Sequence, residues 1–141
     1  MILSTPDERR ALLERSKTVA MVGASDNEER PSHRVFSYLR AHGYDVTPIN
    51  PTIDQIHNVK AYATLRDYAA ERGAPDVVDV FRKPEDVVPI TQDAIDIGAK
   101  AIWFQLGVIN QEAVDLAVSA GLDVVVDHCM KIEHQDLLVG K

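Results

Sequence analysis

Five short apolar runs rich in valine recur along the chain, and each runs into a turn signal: TVAMVG from Thr18, YDVTPIN from Tyr44, DVVDVF from Asp76, AIWFQ from Ala101 and DVVVD from Asp123. Runs that are apolar without alternation fit strands buried on both faces, the signature of a parallel sheet covered by helices above and below. The segments between them read as helical. Pro31-Ser32 opens one that reaches His42, with Val35, Leu39 and His42 on one stripe and Gly43 as its stop. Leu65 to Arg72 ends at Gly73, Pro84 to Ile97 closes at Gly98, and Asn110 caps a segment through Ala120 with Gly121 behind it. Pro89 lies too far inside its segment for an undisturbed helix, so a separate opening turn is expected before it. Asn50-Pro51 begins an irregular stretch through Tyr62, and residues 1–16 read as a leading helix that starts near Ser4-Thr5-Pro6. This alternation predicts an α/β protein: a Rossmann-like, doubly wound, mainly parallel sheet with right-handed crossovers and helices on both faces.

A length of 141 residues fits one domain, 1–141, with a self-sufficient core. The single cysteine excludes an internal disulfide. No apolar span approaches the roughly twenty residues needed to cross a bilayer, and the N-terminus lacks the pattern of a secretory leader, so a cytoplasmic protein with no membrane partner is expected. A formal net charge of -7 argues against a broad nucleic-acid-binding surface. An anionic ligand would therefore need a local basic pocket. Arg30, His33, Arg34, Arg40 and His42 fall within thirteen residues, and Arg82-Lys83 form a second pair; the competing reading of both is a solvated helix face.

In an open sheet of this kind the ligand crevice lies beyond the carboxyl ends of the strands, where strand order reverses. Five segments leave strands on that side: Gly23 to Pro31, Asn50 to Thr52, Phe81 to Pro84, Gln105 to Val108 and Asp127 to Lys131. The unusual residues of the chain concentrate in them. Gly23 permits a tight turn, and the helix opening near Pro31-Ser32 aims free N–H groups outward, as a phosphate-binding turn would. A dinucleotide fingerprint needs three glycines as G-x-G-x-x-G, whereas GASDNE keeps only the first, and Asn50-Pro51 stands where an acid would hold a ribose hydroxyl. Both departures disfavour NAD. A loop without any ligand is the plain alternative.

The motifs VGAS, ERPSHRV, INP, VVDVFRKPE, GAKAIWFQLGV and DHCMKIEH, in this order from about Lys17 to His134, resemble the small stand-alone proteins of the coenzyme A-binding domain family. That family is similar to the nucleotide-binding domain of the succinyl-CoA synthetase alpha subunit. The resemblance implies a Rossmann-like domain that grips the ADP and pyrophosphate portion of CoA or acyl-CoA. It places Gly23, Ala24 and Ser25 under the phosphates, with Arg30 and Ser32 at the helix start, and Asn50 and Pro51 beside the adenosine. Phe81 and Arg82 would pack against the ligand and offer charge, and Gln105 and Gly107 would line the far wall. A guanidinium suits phosphate because its fork matches two oxygens at once. Two positions depart from the family pattern: Thr52 follows Asn50-Pro51 where relatives often carry lysine, and His128 precedes Cys129 where they often carry arginine. His33, Arg34 or Lys83 are the candidates to compensate.

Other chemistry is weaker. Cys129, just past the last strand, is a candidate partner for the thiol of CoA in a mixed disulfide, set against the burial common to lone cysteines. Cys129 with His128, Glu133 and His134 matches no paired metal-ligand spacing, so no metal is expected. Asp127 and His128 are adjacent and would point apart in a strand, which removes a triad with Ser25. Trp103 and Phe104 read as core, Phe81 as either core or platform. Synthetase relatives carry the phosphorylated histidine of their ligase step outside this domain. The expectation is therefore a CoA-binding protein without catalytic residues of its own; the alternatives are an NAD(P)-binding oxidoreductase-like protein and a non-catalytic subunit of an acyl-CoA ligase. A homo-oligomer and a synthetase-like partner are the candidate assemblies.

Overall fold

A computed structural model describes residues 1–139; the last two positions of the expected domain lie outside the described residues. Helix α1 (Pro6–Arg15) is fixed at its start by a capping box, in which the Glu8 N–H donates to Thr5 Oγ1 at 3.2 Å and the Thr5 N–H to Glu8 Oε1 at 3.0 Å. These bonds from Thr5 hold the Glu8 carboxyl below its usual range. There follow β1 (Thr18–Val22), α2 (Pro31–Ala41), β2 (Asp45–Ile49), β3 (Gln55–Ile56), β4 (Val59–Lys60), α3 (Leu65–Arg72) and β5 (Val77–Val80). A 3₁₀ turn (Pro84–Asp86) leads into α4 (Val87–Asp96), then β6 (Ala101–Phe104), α5 (Gln111–Ser119), β7 (Asp123–Val126) and α6 (Met130–His134), which continues as a π-helical turn (Gln135–Val139). The opening turn expected before Pro89 is this 3₁₀ turn. Pro89 then sits in the first turn of α4, where its missing N–H costs no helical hydrogen bond.

Five strands form one parallel sheet in the order β2-β1-β5-β6-β7, the doubly wound arrangement expected from the alternation of elements. Side chains alternate between its faces. Ala20, Val22, Val78, Val80, Ile102, Phe104 and Val124 pack under α3, α4 and α5. Val19, Met21, Val46, Val77, Ala101, Trp103 and Val125 pack under α1, α2 and α6. Trp103 and Phe104, as expected, are core. At one edge Pro48 sits in β2, whose outer side meets only an isolated bridge at Tyr62, where Pro48 takes part through its carbonyl, accepting from the Tyr62 N–H at 3.0 Å, so its absent donor breaks no ladder. At the other edge Ile2 bridges Val124, and the Leu3 N–H donates to Val124 O at 2.8 Å.

The stretch expected to be irregular contains a small antiparallel hairpin, β3 with β4, turning through His57 and Asn58 at φ 49° and 66°. Two paired residues per strand leave no periodicity to read in advance. Helix α6, five residues long, likewise carries no periodic signal of its own in the sequence. Its first residue, Met130, is fully buried, and His134 at its end bonds to Tyr38 at 2.9 Å, so tertiary contacts hold this short segment.

Candidate functional site

Strand order reverses between β1 and β5, because β2 lies on one side of β1 and β6 and β7 lie beyond β5. The loops that leave these strands diverge there around a cavity of about 810 Å³. All five segments singled out in the sequence contribute at least one residue to its lining.

Gly23 sets how closely the two central loops approach. Its φ is +83°, and a Cβ built there would stand 2.1 Å from the Phe81 carbonyl oxygen, so no other residue fits without moving the backbone. The Gly23 N–H donates to Ile49 O at 2.9 Å and the Phe81 N–H to Val22 O at 2.8 Å. The exits of β1, β2 and β5 are thereby fastened together.

The loop after Gly23 is shaped by its own short polar side chains. Ser25 N–H donates to Ser32 Oγ at 3.1 Å, Asn27 N–H to Ser25 Oγ at 3.0 Å, and Glu29 N–H to Asn27 Oδ1 at 3.0 Å. Arg30 is the N-cap of α2, and its side chain has no acceptor to offer the helix; the first turn holds no acid. The main-chain N–H groups of Ala24 and Ser32 have no protein acceptor among the described residues. The positive end of the α2 dipole therefore opens on the cleft with no acid in the helix's own first turn to balance it.

Cations gather at the same rim. Arg30, Arg82 and Lys83 line the cavity, and none makes a salt bridge or side-chain hydrogen bond among the described residues. Elsewhere several arginines are matched with carboxylates: Arg9 with Glu133, Arg15 with Asp123, Arg66 with Asp93 and Asp96, Arg72 with Asp45. One acid, Asp86, also lines the cleft.

The opposite wall comes from the exits of β6 and β7. Gly107, at φ +78°, donates its N–H to Asp127 Oδ1 at 2.8 Å, which ties the two exits together. Cys129 lines the cavity beside them and is half-buried. Beneath this wall lies Asp79, fully buried in the middle of β5 between Met21 of β1 and Trp103 of β6. Gln105 Nε2 donates to its Oδ1, while Oδ2 has no partner. Burial pushes the Asp79 carboxyl up to about 7, against the lowering effect of the Gln105 and Val80 hydrogen bonds.

Of the residues expected at a site, the cavity brings together Gly23, Ser25, Arg30, Ser32, Asn50, Phe81, Arg82, Gln105, Gly107 and Cys129. Ala24 lies behind the wall, fully buried, its carbonyl accepting from Asn50 Nδ2 at 2.9 Å. Pro51 is exposed and outside the lining. Asn50 Oδ1 accepts from the Thr52 N–H at 2.9 Å, so both ends of the Asn50 amide shape loops. Of the candidates to compensate for the missing lysine, Lys83 lines the cleft; Arg34 donates to Glu29 O, and buried His33 lies edge-on to His57 at 4.9 Å. His128 gives its carbonyl to Trp103 Nε1 at 2.8 Å. Sequence reasoning passed over Val35, Leu106 and Val108, which supply apolar lining, and Asp79, whose only signal was an acid inside a valine run.

A family model described as CoA binding domain matches residues 17–135. The uncharacterized protein YneT of Bacillus subtilis (strain 168) is 36% identical over 127 residues, spanning 90% of this chain and 92% of that protein. A hypothetical protein from Pyrococcus horikoshii OT3 has a structure matching at a TM-score of 0.90 and 40% identity, over 95% of this chain and 92% of its own. A dinucleotide-forming acetyl-coenzyme A synthetase 1 from Ca. Korarchaeum cryptofilum shares the fold at a TM-score of 0.66 and 24% identity, over 77% of this chain and 25% of its own.

Proposed function

The chain belongs to the CoA binding domain family, and from that premise we propose that it holds coenzyme A or an acyl-CoA in the cleft at the strand-order reversal, through the ADP and pyrophosphate portion. The observation that carries the reading is the grouping of Arg30, Arg82 and Lys83, all without protein partners among the described residues, around the open end of α2. In a chain of net charge -7, such a rim suits a polyanion and little else. A diphosphate meets guanidinium forks and main-chain N–H groups at once. The cavity has the size of a small-ligand or cofactor site, and its apolar lining from Val35, Phe81 and Val108 suits the uncharged parts of such a ligand. NAD fits less well, since Asn50 ends β2 where an acid would meet the ribose and the β1 loop carries a single glycine. The role proposed is to hold the cofactor, with no catalytic residue assigned.

Calorimetric titration with CoA, dephospho-CoA, NAD and ATP tests this. CoA is expected to bind, and Arg82→Ala to weaken it about tenfold or more, the loss of a charge-assisted hydrogen bond. Binding of NAD without binding of CoA would overturn the proposal.

A further inference from the structure

We propose that Asp79 is a positioning residue for the cleft: from beneath its floor it orients the Gln105 amide so that the amide oxygen faces the ligand, which makes this wall the seat of the hydrogen-bond donors of the pantetheine arm and not of the diphosphate. The inference rests on the coenzyme A reading given above.

An ionised carboxylate only accepts hydrogen bonds, so the Gln105 group that meets Asp79 Oδ1 is its NH₂. Gln105 is buried yet lines the cavity. Its Oε1 accepts no hydrogen bond among the described residues, and Asp79 Oδ2 is the sole side-chain nitrogen or oxygen among them that is sealed off without a partner. Oε1 therefore opens to the cleft. A phosphate oxygen there would meet another acceptor backed by a buried carboxylate, whereas an amide N–H or hydroxyl of a pantetheine chain would find a partner. This polarity complements the cations on the facing rim.

Protonation reverses the arrangement. A neutral Asp79 can donate, the amide then turns over, and its NH₂ faces the ligand. With the carboxyl pushed up to about 7, both states are accessible near neutrality. Of the titratable or charged groups on the helices covering this face, Arg9 of α1, His33 of α2 and His134 of α6 are buried; Glu8 and Arg10 of α1, Tyr38 of α2 and Lys131 and Glu133 of α6 are half-buried, as is Cys129 just ahead of α6; Asp7, Glu14 and Arg15 of α1 and Arg34 and Arg40 of α2 are exposed. None makes a hydrogen bond or salt bridge to Asp79, and its strand neighbours Met21 and Trp103 do not titrate.

The ligand-free protein provides the first measurement. The side-chain NH₂ resonances of Gln105 should shift with pH around a near-neutral midpoint, and should stop doing so in Asp79→Asn. Titration with CoA from pH 8 to pH 6 should then show affinity falling about tenfold in the natural chain, as one hydrogen bond is exchanged for a clash of donors. The fall should be largely absent in Asp79→Asn. Should that variant fail to fold, Gln105→Met carries the same test without touching the carboxyl. A Gln105 amide indifferent to pH, or a variant that keeps the natural pH profile of CoA binding, would overturn the proposal. If CoA binds at no pH, the coenzyme reading and the seat of the pantetheine arm fall together, while the amide titration still decides the coupling of Asp79 to Gln105.

Discussion

At Gly23 two demands coincide on one residue: a left-handed backbone at φ +83° and a carbonyl oxygen 2.1 Å from where a Cβ would stand. Gly121 makes only the first demand, at φ +88° with nothing within 4 Å. The pair separates the two effects. Gly121→Ala should lower stability by about 1 kcal/mol, the cost of left-handed backbone for an alanine. Gly23→Ala adds a backbone collision that only separation of the β1 and β5 exits relieves, so a loss of roughly 3 kcal/mol is expected. Urea denaturation of the two variants checks this; equal losses would show that the Phe81 contact is not what requires glycine. The sequence marks Gly23 as a turn, but the second demand comes from a loop some sixty positions away and is invisible along the chain. Asp79 was hidden for a related reason: its strand reads as buried on both faces, but the partner that gives a buried carboxyl a role, Gln105, lies 26 positions away beyond the end of β6.

Among the elements, the five main strands and the helices between them were legible because each carries a period or a stop signal of its own. The hairpin of β3 and β4 and helix α6 were not, because their stability comes from what they touch. Helix α6 is held to α1 by Arg9–Glu133 and to α2 through His134, whose ring meets Tyr38, His42 and Tyr44. Burial, reinforced by nearby His42, holds the His134 imidazole below its ordinary 6.5, so the folded chain binds its proton less readily than the unfolded chain. Docking of α6 is then intact above about pH 6.5, the value for an unperturbed histidine, and weakens as pH falls from there through the lower folded value. Asp79 acts with the other sign: its raised pKa makes the folded chain hold a proton the unfolded chain has released, so its contribution improves as pH falls through about 7. The comparison that isolates His134 is therefore between chains that share Asp79. Between pH 7 and pH 5 the urea midpoint of His134→Gln should decline less than that of the natural protein. Parallel declines would remove His134 from the account.

Over the whole molecule, charge is distributed against the average. The chain carries a formal -7, and most of the arginines described above are matched with carboxylates across its elements, yet Arg30, Arg82 and Lys83 stand together, without partners among the described residues, where the sheet changes direction. An anion approaching at random meets a repelling surface until it reaches that rim, where the local field has the other sign and the α2 terminus adds to it. Such a site should be strongly sensitive to ionic strength, because the screening length falls from about 14 Å at 50 mM salt to about 4 Å at 500 mM. Contacts between apolar lining and ligand would respond little to the same change. The affinity for CoA is therefore expected to drop about tenfold across this range, and the slope to flatten when Arg82 and Lys83 are both replaced by alanine. Calorimetry or equilibrium dialysis at four or five salt concentrations measures both. An affinity that holds within twofold from 50 to 500 mM would mean that the cationic rim is not where the ligand's charge resides, and would move the diphosphate away from α2 altogether.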